Sequence, residues 1–162
     1  EALAMIKVGF EVDADDWHGH SSETLWASHT DTPDEFVIEN APFFVRGVSY
    51  GDRVATQLRG GDRMFLHVVA RSGHSTYRVI PQRVDGVLVP MEVTLEFLKT
   101  EGCRFESGQI GNMPYVVIDV PKDSSADRCY LALKAADDAQ LLHFEVAHDG
   151  HPPPEDDQSA EE

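Results

Sequence analysis

Polar and apolar residues alternate from the start of the chain. In "MIKVGFEV", Ile6, Val8, Phe10 and Val12 take one parity and Lys7, Gly9 and Glu11 the other, the period-two mark of a half-buried strand. A polar loop, "DADDWHGHSS", follows, and then the short strand-like runs "ETLWAS", "EFVIEN", "PFFVRGV", "DRVATQL" and "RMFLHVVA". The last two are separated by "RGGD", whose Gly60-Gly61 is a hairpin signal, and Gly51 before Asp52 supplies a positive φ at another turn. Short strands with turn signals and no helical period predict an antiparallel, barrel-like β domain over residues 5–70.

The pattern changes after residue 70. "STYRVI" reads as a strand, and "PMEVTLEFLKTEG" as a helix that opens at Pro90, places Met91, Leu95 and Leu98 at helical spacing and stops at Gly102. "CRFESG" and "MPYVVIDV" flank "GQIGN" as a hairpin. "SSADRCYLALKAADD" is a second helix with Ser124 and Asp127 in capping-box spacing, and "LLHFEVAH" a final strand. The order β-α-β-β-α-β predicts a ferredoxin-like α+β domain over 71–148. The fold class is therefore α+β, a barrel-like β half followed by a ferredoxin-like half. Residues 149–162, ending in "PPPEDDQSAEE", read as a disordered acidic tail.

Charge adds a second layer. With 13 Lys+Arg against 29 Asp+Glu the net charge is −16, of which the tail supplies six acids and no base. That balance argues against nucleic acid as a partner. Residues 11–39 hold nine acids and no Lys or Arg, whereas residues 46–83 hold seven arginines against Asp52 and Asp62. Either neighbouring strands of opposite sign pair across the sheet, or the surface is polarised and steers a charged partner. The two cysteines, Cys103 and Cys129, lie among apolar neighbours in no C-x-x-C arrangement and read as buried, reduced thiols without a disulfide framework or zinc site. No apolar run reaches the ~20 residues that span a bilayer, and no signal segment opens the chain, so the expectation is a cytoplasmic protein with no membrane partner.

Four pieces, "VGFEVD", "SETLWA", "IENAPFFVRGVSYGDRV" and "RSGHSTYRV", together resemble a bacterial family catalogued as domain of unknown function 4265. The asparagine-x-proline-phenylalanine-phenylalanine string leading to Gly51-Asp52, and the run at 73–76, are its specific parts; "EGCRFE" and "IDVP" match in the second half. "IENAP" stands where aspartate-asparagine is expected. The resemblance implies a bacterial, intracellular globular protein. It transfers no activity and no catalytic residue.

Candidate chemistry gathers in "RSGHSTYRVI". His74, Thr76 and Arg78 share one parity, and with Ser75 they form a row suited to a phosphate or carboxylate through the two-pronged donors of the arginine. The row falls where the two halves meet, a usual place for a cleft. The same residue types also serve a tight turn, their hydroxyls bonding to local backbone. His20-Ser21-Ser22 repeats the histidine–hydroxyl pair, but in a Gly- and Asp-rich loop unlike the strands of two-histidine phosphoesterases. Read as a calcium loop from Asp13, the segment puts His18 where glycine is required and Thr24 where glutamate is, so no metal is expected. Phe43 and Phe44, adjacent on an expected strand, point to opposite faces, leaving one as interdomain packing or as an exposed anchor.

No Walker loop, dinucleotide fingerprint, HExxH or nucleophile elbow is present, and no catalytic residue or cofactor is assigned. The expected function is that of a non-catalytic acidic module binding a protein with a basic surface, such as a nuclease or toxin that it neutralises. Asp13, Asp15, Asp16 and Phe44 are its expected partner-binding residues. The alternative is a cleft that binds or hydrolyses a small anionic ligand through His74, Ser75, Thr76 and Arg78.

Overall fold

The structure, a computed structural model, describes residues 3–151. It is α+β, mostly antiparallel sheet with two helices. The expected tail from 152 onward lies outside the described residues.

The first half holds β1 (Ile6–Glu11), β2 (Ser22–His29), β3 (Glu35–Ile38), β4 (Arg53–Arg59) and β5 (Asp62–Ala70), each antiparallel to the next. β5 returns to β1 through one parallel pair, Gly9↔Met64. A Cβ at position 9 would lie 2.8 Å from Met64 Sδ, so a larger residue there would have to push that flexible side chain aside. The alternation read in the sequence is realised, with Val8, Phe10, Leu25, Ala27, Phe36, Ile38 and Val54 filling the interior.

The run "PFFVRGV" is not a strand. Residues 39–52 form an irregular connector between β3 and β4. The reason is a side chain from elsewhere: the Glu23 carboxylate on β2 accepts the consecutive backbone N–H groups of Phe43, Phe44 and Val45 at 2.6, 2.9 and 2.9 Å. Three adjacent N–H groups turned to one carboxylate cannot alternate as a ladder requires.

The second half holds β6 (Ser75–Pro81), β7 (Arg83–Val84), β8 (Val87–Leu88), α1 (Glu92–Thr100), β9 (Arg104–Ile110), β10 (Met113–Val120), α2 (Ala126–Asp138) and β11 (Leu142–His148). Its sheet runs β11-β6-β10-β9, all antiparallel. One face, bearing Tyr77, Val79, Val116, Ile118 and Val120, packs on Leu98 of α1 and on Cys129 and Leu133 of α2. The β7–β8 hairpin is an addition to the β-α-β-β-α-β order, turned by Asp85-Gly86 with φ of 52° and 79°, a usual two-residue turn pair. The cap of α2 is Ser125, whose Oγ accepts the Arg128 N–H at 3.2 Å, one residue later than the capping-box spacing predicts. Among the described residues no helix is long and apolar enough to cross a membrane.

Candidate functional site: the seam between the halves

The other face of the second sheet meets the connector, and parity decides what meets there. Thr76, Arg78 and Ile80 on β6 look to the first half, as do Tyr115, Val117 and Asp119 on β10. Ala41, Phe43 and Phe44 of the connector pack on Tyr115, Val117, Ile80 and Ile110. Both phenylalanines therefore serve one side, correcting the expectation that they diverge: Phe43 lies 3.1 Å from where a Cβ on Gly108 would sit, and Phe44 stacks on His20 and Tyr115 with centroids 4.1 and 6.1 Å away. Phe44 is half-buried, so it is not an exposed anchor.

Polar bonds stitch the same seam. Buried Asp52 accepts Ser49 N–H at 2.9 Å and Ser72 N–H at 2.8 Å, joining the end of the connector to the segment entering β6. Gly51, at φ 84°, gives the backbone turn that aims Asp52 there, and a Cβ on it would come 3.0 Å from Ser72 Cβ. Arg71 donates to Gly47 O and approaches Asp52 at 3.3 Å. Thr76 Oγ1 and Ser49 Oγ share a 2.6 Å bond, both fully buried. Tyr115 donates its hydroxyl to Phe43 O, and burial pushes its pKa up to about 12.

Arg78 is 2% exposed. Its Nη2 donates to Val45 O at 2.7 Å and its Nε lies 3.3 Å from Glu145 Oε1 on the neighbouring β11. Glu145 is also bound by Arg46 at 2.8 Å and by Trp17 Nε1 at 3.2 Å, and Arg46 holds Asp16 at 2.8 Å. The Arg46 guanidinium keeps the Asp16 carboxyl down at about 2. This chain fastens the loop before β2 to the second sheet. Beside it opens a cavity of about 160 Å³, lined by Trp17, Ile80, Tyr115 and Phe144 with Arg78 and Glu145 at its edge.

The His74–Arg78 row does lie at the junction, but most of it is consumed by the joint. Thr76 is spent on Ser49, Arg78 on Val45 and Glu145, and Ser75 donates to His151 Nδ1 at 2.6 Å while accepting Gly150 N–H at 2.9 Å. Those contacts also order residues 149–151, inside the boundary expected for the tail. His74 differs. Its Nδ1 meets Asp119 Oδ1 at 2.8 Å, which leaves Nε2 as the ring's open position; burial raises the Asp119 pKa and His74 opposes that rise. Arg104, opposite Asp119 in register, sits 5.9 Å over the Tyr50 ring, and His74 lies 5.5 Å from that ring on the other count. Lys122 lies over Gly73. A sequence reading misses Arg104 and Lys122, since strand register sets Arg104 opposite Asp119, the partner of His74, and the turn after β10 lays Lys122 over Gly73.

The acids of residues 11–39 are mostly paired rather than gathered into one face. Arg46 takes Asp16, Arg53 takes Asp31 and Glu35, Arg59 takes Glu11, and Arg63 takes Asp34. Opposite charges thus neutralise each other, across neighbouring strands at Arg53–Glu35 and through loops or more distant strands in the other pairs. Asp13 and Asp15 remain exposed, Asp13 Oδ1 accepting Asp15 N–H at 2.8 Å in a local turn. Among the described residues no group of three or more His, Cys, Asp or Glu side chains is placed to hold a metal.

A solved structure described as a "Novel crystal structure of a hypothetical protein from Neisseria gonorrhoeae" superimposes with a TM-score of 0.77 at 16% identity, covering 94% of this chain and 100% of that one. At that identity the likeness concerns the fold alone. No curated protein matches. The family described as "Domain of unknown function (DUF4265)" matches residues 23–144, a span that takes in the Glu23 clamp, the connector, the Asp52 joint and both helices. By that match, this chain belongs to the DUF4265 family.

Proposed function

We propose that the chain is a non-catalytic protein-binding module whose partner presents a basic surface, and that it inhibits or neutralises that partner as an immunity protein does a nuclease or toxin. The scaffold reading that accompanies it is a small antiparallel barrel packed on a ferredoxin-like half, supported by the strand order β11-β6-β10-β9.

The observation that carries the proposal is the socket beside Trp17. A cavity of about 160 Å³ with mainly apolar walls takes one aromatic or branched side chain. Trp17 is 47% exposed at its rim, held by Glu145, and the exposed carboxylates of Asp13 and Asp15 stand a few residues before it in the same loop. An apolar anchor flanked by lysines or arginines complements that surface, and the net charge of −16 favours its approach. Partner recognition thereby moves from Phe44 and Asp16, which are engaged within the protein, to Trp17, Asp13 and Asp15.

The test is retention of proteins from the source cells on the immobilised chain. A basic protein should be held at low salt, released as salt rises, and bound about 30-fold more weakly by Trp17→Ala, with Asp13→Asn/Asp15→Asn losing the salt dependence. Equal retention by Trp17→Ala of unchanged thermal midpoint, or no specific retention, would end the proposal.

A second reading, binding of a small phosphate- or carboxylate-bearing ligand, is favoured by His74 with Arg104 and Lys122. Among the described residues neither of these two cations has a carboxylate within 4.0 Å. Inorganic phosphate should then shift the His74 ring resonances in wild type and not in Arg104→Ala; no shift in wild type removes the reading.

A further inference from the structure

Cys103 and Cys129 are the only cysteines in the chain, and the fold brings their Sγ atoms to 3.5 Å. They reach that point from different elements. Cys103 follows the end of α1, its N–H donating to Leu98 O at 3.1 Å, and Cys129 stands in the opening turns of α2, its N–H donating to Ser125 O at 3.2 Å. Both are buried, 5% and 0% exposed, in the layer where Leu98 and Leu133 pack on the sheet. The two thiols face each other with backbone anchored on both sides. A closure of about 1.5 Å along the line between the sulfurs reaches the ~2.05 Å of a disulfide bond.

We propose that this pair is an oxidative modification site, converted by hydrogen peroxide to an intramolecular disulfide that joins the end of α1 to α2. One sulfur gives its proton to solvent and, as thiolate, attacks a peroxide oxygen; the O–O bond breaks, the sulfur becomes a sulfenic acid, and the hydroxide that leaves takes up that proton to become water. The second thiol gives its proton to the departing oxygen and its sulfur attacks the sulfenic sulfur; an S–S bond forms, the S–O bond breaks and water leaves. Two thiols lose two electrons in all, and one peroxide becomes two waters. The thiols share one hydrogen-bond contact in which either sulfur can donate, so either can be the attacking thiolate and the other the resolving thiol.

The proposed route for peroxide is local opening of α1, the shorter of the two helices over this core. It is nine residues long with no side-chain hydrogen bond at its N-cap, Met91, whereas α2 has thirteen and is capped by Ser125. The product then ties down the chain directly behind the element that opened. Neither cysteine lines the socket at Trp17, so the oxidation test does not depend on the proposed partner surface.

The test uses the full chain treated with hydrogen peroxide, then unfolded and alkylated. The expected result is loss of both alkylatable thiols, a mass lower by two hydrogens, one peptide pair linked through Cys103 and Cys129, monomer on a non-reducing gel, and return of both thiols with dithiothreitol. With Cys103→Ser and Cys129→Ser made separately, the single thiol left in at least one of them should stop at a dimedone-reactive sulfenic acid. Two thiols still alkylatable after peroxide has oxidised free cysteine in the same tube would overturn the proposal. So would sulfinic acid on either residue in place of the link, or disulfide only between chains.

Discussion

Asp52 Oδ1 accepts the backbone N–H of Ser72 at 2.8 Å, and that bond fastens the connector leaving β3 to the segment entering β6. The other oxygen takes Ser49 N–H, so one fully buried carboxylate satisfies two backbone donors from both sides of the seam. Asp52→Ala strands both donors, and we expect it to cost about 3 kcal/mol in urea unfolding, with Asp52→Asn costing less because it keeps one acceptor. A loss within error of zero for Asp52→Ala would mean the joint is held by the aromatic contacts instead.

Arg78 and Glu145 predict a non-additive pair. Removing Glu145 leaves a guanidinium that is 2% exposed with Val45 O as its remaining polar contact, so Glu145→Ala should cost about 3–5 kcal/mol. Arg78→Met should cost less, because Arg46 and Trp17 still hold Glu145. The double variant Arg78→Met/Glu145→Ala should then be more stable than the sum of the two losses implies, as read by a double-mutant cycle. Strict additivity would show that the two groups do not interact.

Two histidines set the response to mild acid. Burial is the main cause lowering the pKa of His18, and burial followed by the Arg71 charge lowers that of His148. His18 Nδ1 accepts His20 N–H, leaving Nε2 as the ring donor, buried and without a hydrogen-bond partner. With folded pKa values below the unfolded value of about 6.5, the unfolded chain takes up these protons first. Stability is therefore complete above pH 6.5 and declines as pH falls through the folded values. The urea midpoint should drop between pH 7.5 and pH 5.5, and His18→Gln/His148→Gln should flatten that drop. An unchanged slope in the double variant would assign the decline to other groups.

The sequence by itself determined what depends on neighbours along the chain. Alternation in "MIKVGFEV" places Val8 and Phe10 inside, the spacing of Leu95 and Leu98 makes a helix, and Gly60-Gly61 turns β4 into β5. It left open whether the opposite charges pair or form one face, and packing decided that Arg46, Arg53, Arg59 and Arg63 each take an acid from residues 11–39. Tertiary structure alone decided what Glu23 does to residues 43–45, because a carboxylate 20 residues away outbids the local strand propensity of "PFFVRGV". It alone decided that Thr76 and Arg78 are spent on the joint while His74 is left with Arg104 and Lys122, and that Trp17 walls a socket. Parity assigns a residue to a face, but what the face meets is set by packing between elements far apart in sequence, and no local period carries that distance.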